Sequence, residues 1–160
     1  MNDILIRKAT QSDLRAIGEL LGDLIHVMDD TEGIDIRTAV KTCQDLLNDA
    51  GSHFLVAEIA GTLAGFINFT IRRTILHQSP SGLIDELVVA SEYRGKGIGR
   101  RLVLAVIEEC KRLGCCEVEV STEKMNTEAR EFYSKSGFVE RGMLFEVDLL
   151  GGGKNAGSIR

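Results

Sequence analysis

Four segments of the chain carry apolar residues at helical spacing. The first follows Thr10-Gln11-Ser12-Asp13, an S/T-x-x-D/E helix start, and has apolar residues at 14, 17, 20, 21, 24, 25 and 28. The second has them at 36, 39, 40, 43, 46 and 47. The third begins at Gly97 and is closed by Gly114, and the fourth covers about 127–136, before Gly137. The pattern therefore predicts four amphipathic helices.

Short runs rich in β-branched and aromatic residues lie between these helices and are typical of strands. The predicted strands are, in chain order, Ile4–Arg7, His53–Ala60, Leu63–Ile71, Leu83–Ala90 and Cys115–Ser121. Gly61-Thr62 joins the second and third strands as a hairpin, and the segment 77–82, which holds the only proline, is predicted to be a loop. One or two closing strands are expected within 138–149, around Gly142.

The order of these elements indicates the fold class. Residues 83–121 form a strand, helix, strand unit, whose two strands are parallel if they share a sheet. The first of them is apolar except for Asp85 and Glu86, as in a strand covered on both faces. We predict an α/β (mixed α+β) fold with a central twisted sheet of about six to seven strands and about four helices. With 160 residues, one domain over 1–149 and a flexible Gly-rich tail over 150–160 are expected.

Composition narrows the class of protein. Hydrophobic residues make up 44% of the chain and charged residues 27%, as in folded globular proteins. The longest apolar run, Leu102 to Ile107, is far shorter than the roughly 20 residues that span a bilayer. Residues 1–10 lack the basic head and apolar stretch of a secretory signal. We therefore expect no membrane segment and a cytoplasmic location.

Charge is distributed unevenly along the chain. The net charge of −5 argues against a general nucleic-acid binder, because such binding depends on Lys and Arg contacts to phosphate. The segment 94–101, RGKGIGRR, nevertheless holds four of the 19 basic residues and no acid. A short cationic, Gly-rich segment on an acidic chain favours one compact anion as its ligand.

Cysteines and histidines give no metal motif. The four cysteines contain no C-x-x-C pair, and free buried thiols are expected at Cys43, Cys110, Cys115 and Cys116. The histidines lie far apart and are not spaced with the cysteines as ligands, so no metal is assigned to His26, His53 and His77.

The Gly-rich segment follows a buried-type strand and opens a helix, which is a general arrangement for binding pyrophosphate. It lacks the Walker A pattern, since Arg100 and Arg101 follow Gly99, and its glycine spacing does not fit G-x-G-x-x-G. What remains is R-x-x-G-x-G, formed by Arg94, Gly97 and Gly99. Two positions without Cβ atoms let phosphate oxygens approach the backbone, and Ile98 is expected to anchor the turn in the core.

At these residues the sequence resembles the GNAT superfamily of N-acetyltransferases. The string 84–102, IDELVVASEYRGKGIGRRL, is similar to the family's acetyl-coenzyme A signature of strand, R/Q-x-x-G-x-G/A loop and helix. Downstream, the family's second signature is matched by Asn126, Ala129, Phe132, Tyr133, Gly137 and Phe138. The two motifs cover about 83–140, and the order of elements fits the chain to about residue 149.

The resemblance implies where acetyl-CoA, the expected cosubstrate, would bind. The strand at 83–90 would carry a bulge and splay from the strand at 115–121, and pantetheine would pair with backbone freed near Leu87, Val88 and Val89. Pyrophosphate would lie on the backbone N–H groups of the turn, namely Arg94, Gly95, Lys96, Gly97, Ile98, Gly99 and Arg100. Asn126 is readable as a helix N-cap or as a pantetheine contact, and both can hold at once.

The resemblance also assigns catalytic roles for acetylating a primary amine. Glu86 is the candidate base, directly or through a water, because an amine must be neutral to attack the thioester. Glu86 is equally readable as a residue that caps a neighbouring loop or pairs with an arginine. Asp85 is expected on the opposite face of the strand, and a bulge that shifts the register could make Asp85 and Glu86 exchange places. A backbone N–H near Val88 would stabilise the oxyanion, and Tyr133, otherwise a half-buried core tyrosine, would protonate the leaving thiolate.

Several alternatives stay open at this level. The chain could be a non-catalytic acyl-CoA sensor, and the acceptor could be a small-molecule amine or an amine of a peptide or protein. Acids that the resemblance places beside the acceptor groove, Asp29, Asp30, Glu32 and Asp35, would attract a cation, although such runs are usually just solvated. Homodimers are a common arrangement in the resembling family.

Overall fold

A computed structural model of the chain describes residues 3–27, 34–147 and 149. Its strands are β1 (Ile4–Lys8), β2 (Ser52–Ile59), β3 (Thr62–Arg73), β4 (Pro80–Val89) and β5 (Glu117–Val120). Its helices are α1 (Leu14–Val27), α2 (Ile36–Leu47), α3 (Ile98–Arg112) and α4 (Thr127–Lys135). The predicted flexible tail, 150–160, and the predicted acids Asp29, Asp30 and Glu32 lie outside the described residues.

The strands form one sheet in the order β1-β2-β3-β4-β5. All neighbours are antiparallel except β4 and β5, which are parallel and joined by α3, so the predicted crossover is confirmed. The sheet is therefore mixed, and the predicted α/β fold class is confirmed, but the described residues form five strands and not the six to seven expected. β4 lies between β3 and β5, and it carries the residues on which the site depends.

Each face of the sheet has its own core. On one face, α3 buries Ile98, Leu102 and Val106 against β2, β3 and β4. On the other face, α1 and α2 pack Ile17 and Cys43 against a cluster that includes Phe54, Phe66 and Val88. Both clusters are apolar and buried, so their exclusion of water supplies the main driving force for folding. The two faces are called the α3 face and the α1/α2 face below.

Local signals set the helix boundaries. Thr10 and Asp13 form the predicted capping box. The Arg7 guanidinium donates two hydrogen bonds of 2.8 Å to the Asp13 carboxylate. Asp35 caps α2 by accepting from the Thr38 N–H at 3.0 Å. Gly114, just beyond α3, has φ +77°, a left-handed conformation that glycine adopts without strain. Capping residues thus fix where the helices begin and end, while their apolar stripes fix which side packs on the sheet.

Two predictions about the strands are wrong. The segment 77–82 is not all loop, because β4 begins at Pro80; a proline is tolerated there because the first strand residue can lack an N–H donor. The closing strands expected within 138–149 are also missing: the described residues of that range are unpaired, and their apolar side chains, such as Phe145 at 86%, are exposed. Strand propensity alone does not supply a neighbouring strand to pair with.

The described residues differ from expectation at one cysteine as well. Cys43 and Cys110 are buried and Cys115 is half-buried, but Cys116 is exposed, so the expectation of buried thiols fails at that position.

Among the helices that the structure describes, none is long and apolar enough to cross a membrane.

Candidate active site

A bulge in β4 places a carboxylate in the α1/α2 face. The ladder with β3 pairs Phe69 with Ile84 and Asn68 with Glu86, which leaves Asp85 as an extra residue. Ile84 packs on the α3 face, so simple alternation would put Glu86 there too. The extra residue reverses this, and Glu86 instead lines a cavity on the α1/α2 face. The bulge that the resemblance implied is present.

Asp85 lies on that same face. Its carboxylate interacts with the side chain of Thr70 and with the charge of Arg72. Phe69 and Ile71, which alternate with these two residues along β3, pack on the α3 face. Thr70 and Arg72, and with them Asp85, therefore face the α1/α2 side. The expectation that Asp85 and Glu86 point to opposite faces is therefore wrong, and the reason is the inserted residue. Two adjacent carboxylates now share one face of the sheet.

Beyond the bulge, β4 separates from β5. The parallel ladder covers only 81–84 of β4 and 117–120 of β5, whereas β4 continues to Val89. The side of β4 that faces β5 is thus open from Asp85 onward, as the resemblance implied. An open strand edge offers N–H and C=O groups to an extended, peptide-like ligand.

Backbone direction decides which groups face this opening. The Ala90 N–H donates to Ala64 on β3 at 2.9 Å, and strand residues alternate in direction, so Val88 also turns its N–H toward β3. Leu87 and Val89 turn theirs to the open side, where the Val89 carbonyl accepts from Nε of Arg94 at 3.1 Å. The geometry therefore favours Leu87 or Val89 over Val88 as an oxyanion donor.

The turn from Arg94 to Gly97 is exposed and opens into α3. Gly95 and Gly97 have φ of +73° and +78°, which residues with a side chain rarely adopt. None of the N–H groups of residues 95–100 donates to a backbone carbonyl within the described chain, while Ile98 is buried with 1% exposure. Lys96 lies over the Tyr93 ring, 5.1 Å from its centroid. Free amides at a helix start, beside basic side chains, can bind a phosphate group.

The environment of Glu86 perturbs its acidity. Burial raises the pKa of the Glu86 carboxyl, the neighbouring Asn68 side chain opposes this shift, and the Asp85 charge adds to it. The Glu86 backbone N–H donates to Oδ1 of Asn68 at 3.0 Å, and Asn68 is 4% exposed. Sequence reasoning missed Asn68; the available signal was one amide within the apolar run of 63–71.

Tyr133 packs against the same α3-face cluster as Leu87 and Val89. Its ring makes edge contacts with Phe132 and Phe138, with centroids 5.1 and 5.5 Å away. Burial raises the pKa of the Tyr133 hydroxyl, which keeps it protonated at neutral pH. Asn126 caps α4 by accepting from the Ala129 N–H at 3.0 Å, as its helix-cap reading predicted.

Phe132 also closes the packing behind the turn. A Cβ on Gly99 would lie 3.4 Å from the Phe132 ring, so α3 and α4 approach closely there. The two sequence signatures are thus brought together in space.

The buried thiols are poor nucleophiles. Burial raises the pKa of Cys43 to about 11 and that of Cys110 to about 12, so both remain thiols at neutral pH. Cys43 lines the same cavity as Glu86. An acyl-enzyme on either of these sulfurs is therefore disfavoured.

These features match a known class of protein. The acetyltransferase (GNAT) family model matches residues 22–138, and the chain belongs to this family. It is an acetyl-CoA-dependent N-acetyltransferase, in agreement with its curated relatives.

Two relatives align over most of the chain. It is similar to an aminoalkylphosphonate N-acetyltransferase of Salmonella typhimurium, with 28% identity over 83% of each chain. It is also similar to an aminoglycoside N(6')-acetyltransferase type 1 of Stenotrophomonas maltophilia, with 27% identity over 90% of this chain and 93% of the relative. A solved aminoglycoside N-acetyltransferase in complex with CoA shares the fold, with a TM-score of 0.80, 20% identity and coverage of 92% and 95%.

Proposed function

We propose that the protein moves the acetyl group of acetyl-CoA directly to a primary amine, with Glu86 as base and Tyr133 as acid. The observation that carries this proposal is the β4 bulge. One inserted residue puts the Glu86 carboxylate into a cavity on the α1/α2 face, beside the point where β4 leaves β5. A base and a thioester site then lie at neighbouring positions of one strand.

The residues at the opening fit the coenzyme. The free amides of 95–100 and the basic side chains of Arg94, Lys96 and Arg100 would hold the diphosphate. The Leu87 carbonyl and the Val89 N–H on the open side of β4 would pair with pantetheine amides, as in strand addition, which leaves the Leu87 N–H for the oxyanion. When bound, the coenzyme supplies an activated acyl thioester and a stable thiol leaving group.

The chain's own groups would then move the protons. Glu86, directly or through a water, accepts a proton from the ammonium so that the amine nitrogen can attack the carbonyl carbon. The N–H of Leu87 stabilises the oxyanion that forms. As the C–S bond breaks, Tyr133 donates its proton to sulfur, and the nitrogen releases its second proton to solvent, which gives an amide and free coenzyme A. Exchange with solvent then deprotonates Glu86 and reprotonates Tyr133. The raised pKa of the half-buried Tyr133 keeps its proton available until the C–S bond breaks.

The rival role as an acyl-CoA sensor needs the opening but not a base in a cavity. A raised pKa brings the Glu86 carboxyl closer to the working range of a general base. The relatives' names differ in acceptor, a phosphonate in one and an aminoglycoside in the other, so neither acceptor is transferred to this chain.

The test is the pH profile of Glu86→Gln. The wild-type kcat/KM is expected to rise with pH as the Glu86 carboxyl deprotonates, above its ordinary pKa of 4.5. The variant should lack this rise of kcat/KM with pH, and its kcat should be about 10²-fold or more lower. Its Kd for coenzyme A should be unchanged. Glu123→Gln, an exposed carboxylate outside the site, is the matched control. Coenzyme binding without thiol release on any amine would favour the sensor instead.

A homodimer is also proposed, through the segment 143–149. Its apolar side chains are exposed, namely Met143, Leu144, Phe145, Val147 and Leu149. β5 ends the sheet, so its outer edge can accept a strand from a second copy. Sedimentation should show a dimer that Phe145→Lys dissociates; a monomer at high concentration would refute it.

A further inference from the structure

We propose that the acceptor is a small primary amine carried on an apolar, uncharged body, and that amines bearing a phosphate, phosphonate or carboxylate are rejected. This inference rests on the proposed acetyl transfer and narrows its acceptor. The site is the cavity that Glu86 lines between α2 and strands β2 to β4, called the acceptor cavity here.

The walls of the acceptor cavity are mainly apolar. Two buried rings, Phe54 and Phe66, form its floor on the sheet, with exposures of 7% and 2%. Aliphatic and sulfur-bearing side chains complete the lining, namely Leu21, Ile34, Ala39, Cys43 and Leu46. A ligand body that fills this space gains from leaving water in proportion to its apolar area. Aromatic floor residues favour an aromatic ring or a branched alkyl group.

The charges in the lining have one sign. Of the described residues that line the cavity, only Asp35 and Glu86 are charged, and no Lys, Arg or His is among them. The Asp35 carboxylate accepts from the Thr38 N–H and hydroxyl at 3.0 and 2.7 Å, which lowers its pKa and keeps it ionised. An ammonium group is attracted to such a site. An anionic substituent would lie beside two carboxylates without a cationic partner in the lining, which disfavours its binding.

The size of the cavity limits the body of the amine. Its volume of about 430 Å³ lies near the lower end of the range for small-molecule sites. A single ring with a short aminoalkyl chain fits such a space, with the nitrogen at Glu86 and the ring over Phe54 and Phe66. The polar groups Thr38 and Thr42 lie on α2 and supply neutral contacts only.

The experiment compares two amines that differ by one charge. These are 2-phenylethylamine and 4-(2-aminoethyl)benzoic acid, which share the ring, the linker and the amine. With the wild-type full chain and acetyl-CoA, kcat/KM should be about tenfold or more higher for the uncharged ring. Equal rates, or a preference for the carboxylate, would overturn the inference. Binding of both amines to the protein loaded with coenzyme A, measured by calorimetry, should show the same order.

Two charge-matched variants of α2 locate the effect. Thr42→Lys adds a cation to the cavity lining. It should lower the ratio of kcat/KM between the uncharged and the carboxylated amine about tenfold, because kcat/KM for the carboxylated amine rises. Gln44→Lys adds the same charge to an exposed position outside the lining and should leave the preference unchanged. If both variants change the preference equally, overall charge and not the cavity sets it, and the inference fails.

Failure of the inference and failure of the proposed function give different results. If the carboxylated amine is acetylated faster, transfer stands and the acceptor class is wrong. If the uncharged amine binds the coenzyme-loaded protein but no thiol is released, the acceptor class stands and catalysis is wrong.

Discussion

The backbone N–H of Glu86 donates a hydrogen bond to the side-chain Oδ1 of Asn68, at 3.0 Å, where the ladder between β3 and β4 shifts by one residue. A side chain here takes a donor that a regular ladder would give to a backbone carbonyl. Asn68 thus holds the bulge and also contacts the carboxylate that the bulge exposes. Position and acidity of Glu86 are set by one buried amide.

Asn68→Ala is therefore expected to change two properties together. The Glu86 N–H would lose its acceptor, which costs about 1–3 kcal/mol in the free energy of unfolding. Because Asn68 lowers the Glu86 pKa, its removal should shift the rising limb of kcat/KM to higher pH. Urea unfolding and a pH profile measure these effects. The exposed Asn48→Ala is the control for the pH profile, and an unmoved rising limb in Asn68→Ala would refute the role of Asn68.

Tyr133→Phe tests the acid, and the chain provides its own control. Only two tyrosines exist, and Tyr93 contacts Lys96 of the turn instead. Tyr133→Phe should lower kcat about 10²-fold and leave the Kd of coenzyme A unchanged, because only a proton donor is lost. Tyr93→Phe should retain kcat. Similar turnover in both variants, measured by thiol release, would exclude Tyr133 as the acid.

The pair of Arg7 and Asp13 predicts a dependence of stability on pH. Hydrogen bonds from Arg7 lower the pKa of Asp13 to about 2, below its ordinary 3.8. A carboxyl whose pKa is lowered by folding stabilises the native state above its unfolded pKa, and this is lost as pH falls toward the folded value. The wild type should thus lose about 2 kcal/mol relative to Asp13→Asn between pH 5 and pH 2.

Denaturant unfolding across that pH range measures the difference. Asp23→Asn, an exposed aspartate on α1, removes the same charge without the arginine pair. A constant gap between wild type and Asp13→Asn at all pH values would show that the pair does not titrate as described.

Local chemistry made much of the fold predictable. Thr10 and Asp13 marked the start of the first helical segment, and Gly114 marked the end of α3, because caps and left-handed glycines satisfy backbone groups at helix ends. The turn from Arg94 to Gly97 was predictable for a similar reason, since its glycines adopt conformations that few other residues can. Such signals act within a few residues and are therefore visible in one sequence.

Non-local pairing limited the rest. Which face of the sheet carries the Glu86 side chain depends on Asp85, the extra residue opposite β3. No pattern within β4 encodes that register. Within the segment 138–149, the residues 145–149 alternate between apolar and acidic as in a strand, yet the described part of the segment has no neighbour in the sheet. The same limit explains Asn68, whose importance arises only from its position opposite Glu86. The catalytic roles of Glu86 and Tyr133 remain predictions.

Titrating coenzyme A into wild type, Gly97→Ala and Gly61→Ala by calorimetry tests most directly whether the turn holds the diphosphate. Gly97 and Gly61 have φ of +78° and +80° with open space around them, so alanine strains both by about 1–2 kcal/mol. Only Gly97 lies at the turn. Wild type and Gly61→Ala should bind equally, and Gly97→Ala about tenfold or more weakly. Absence of binding heat in the wild type, or equal affinity in all three proteins, would contradict the account.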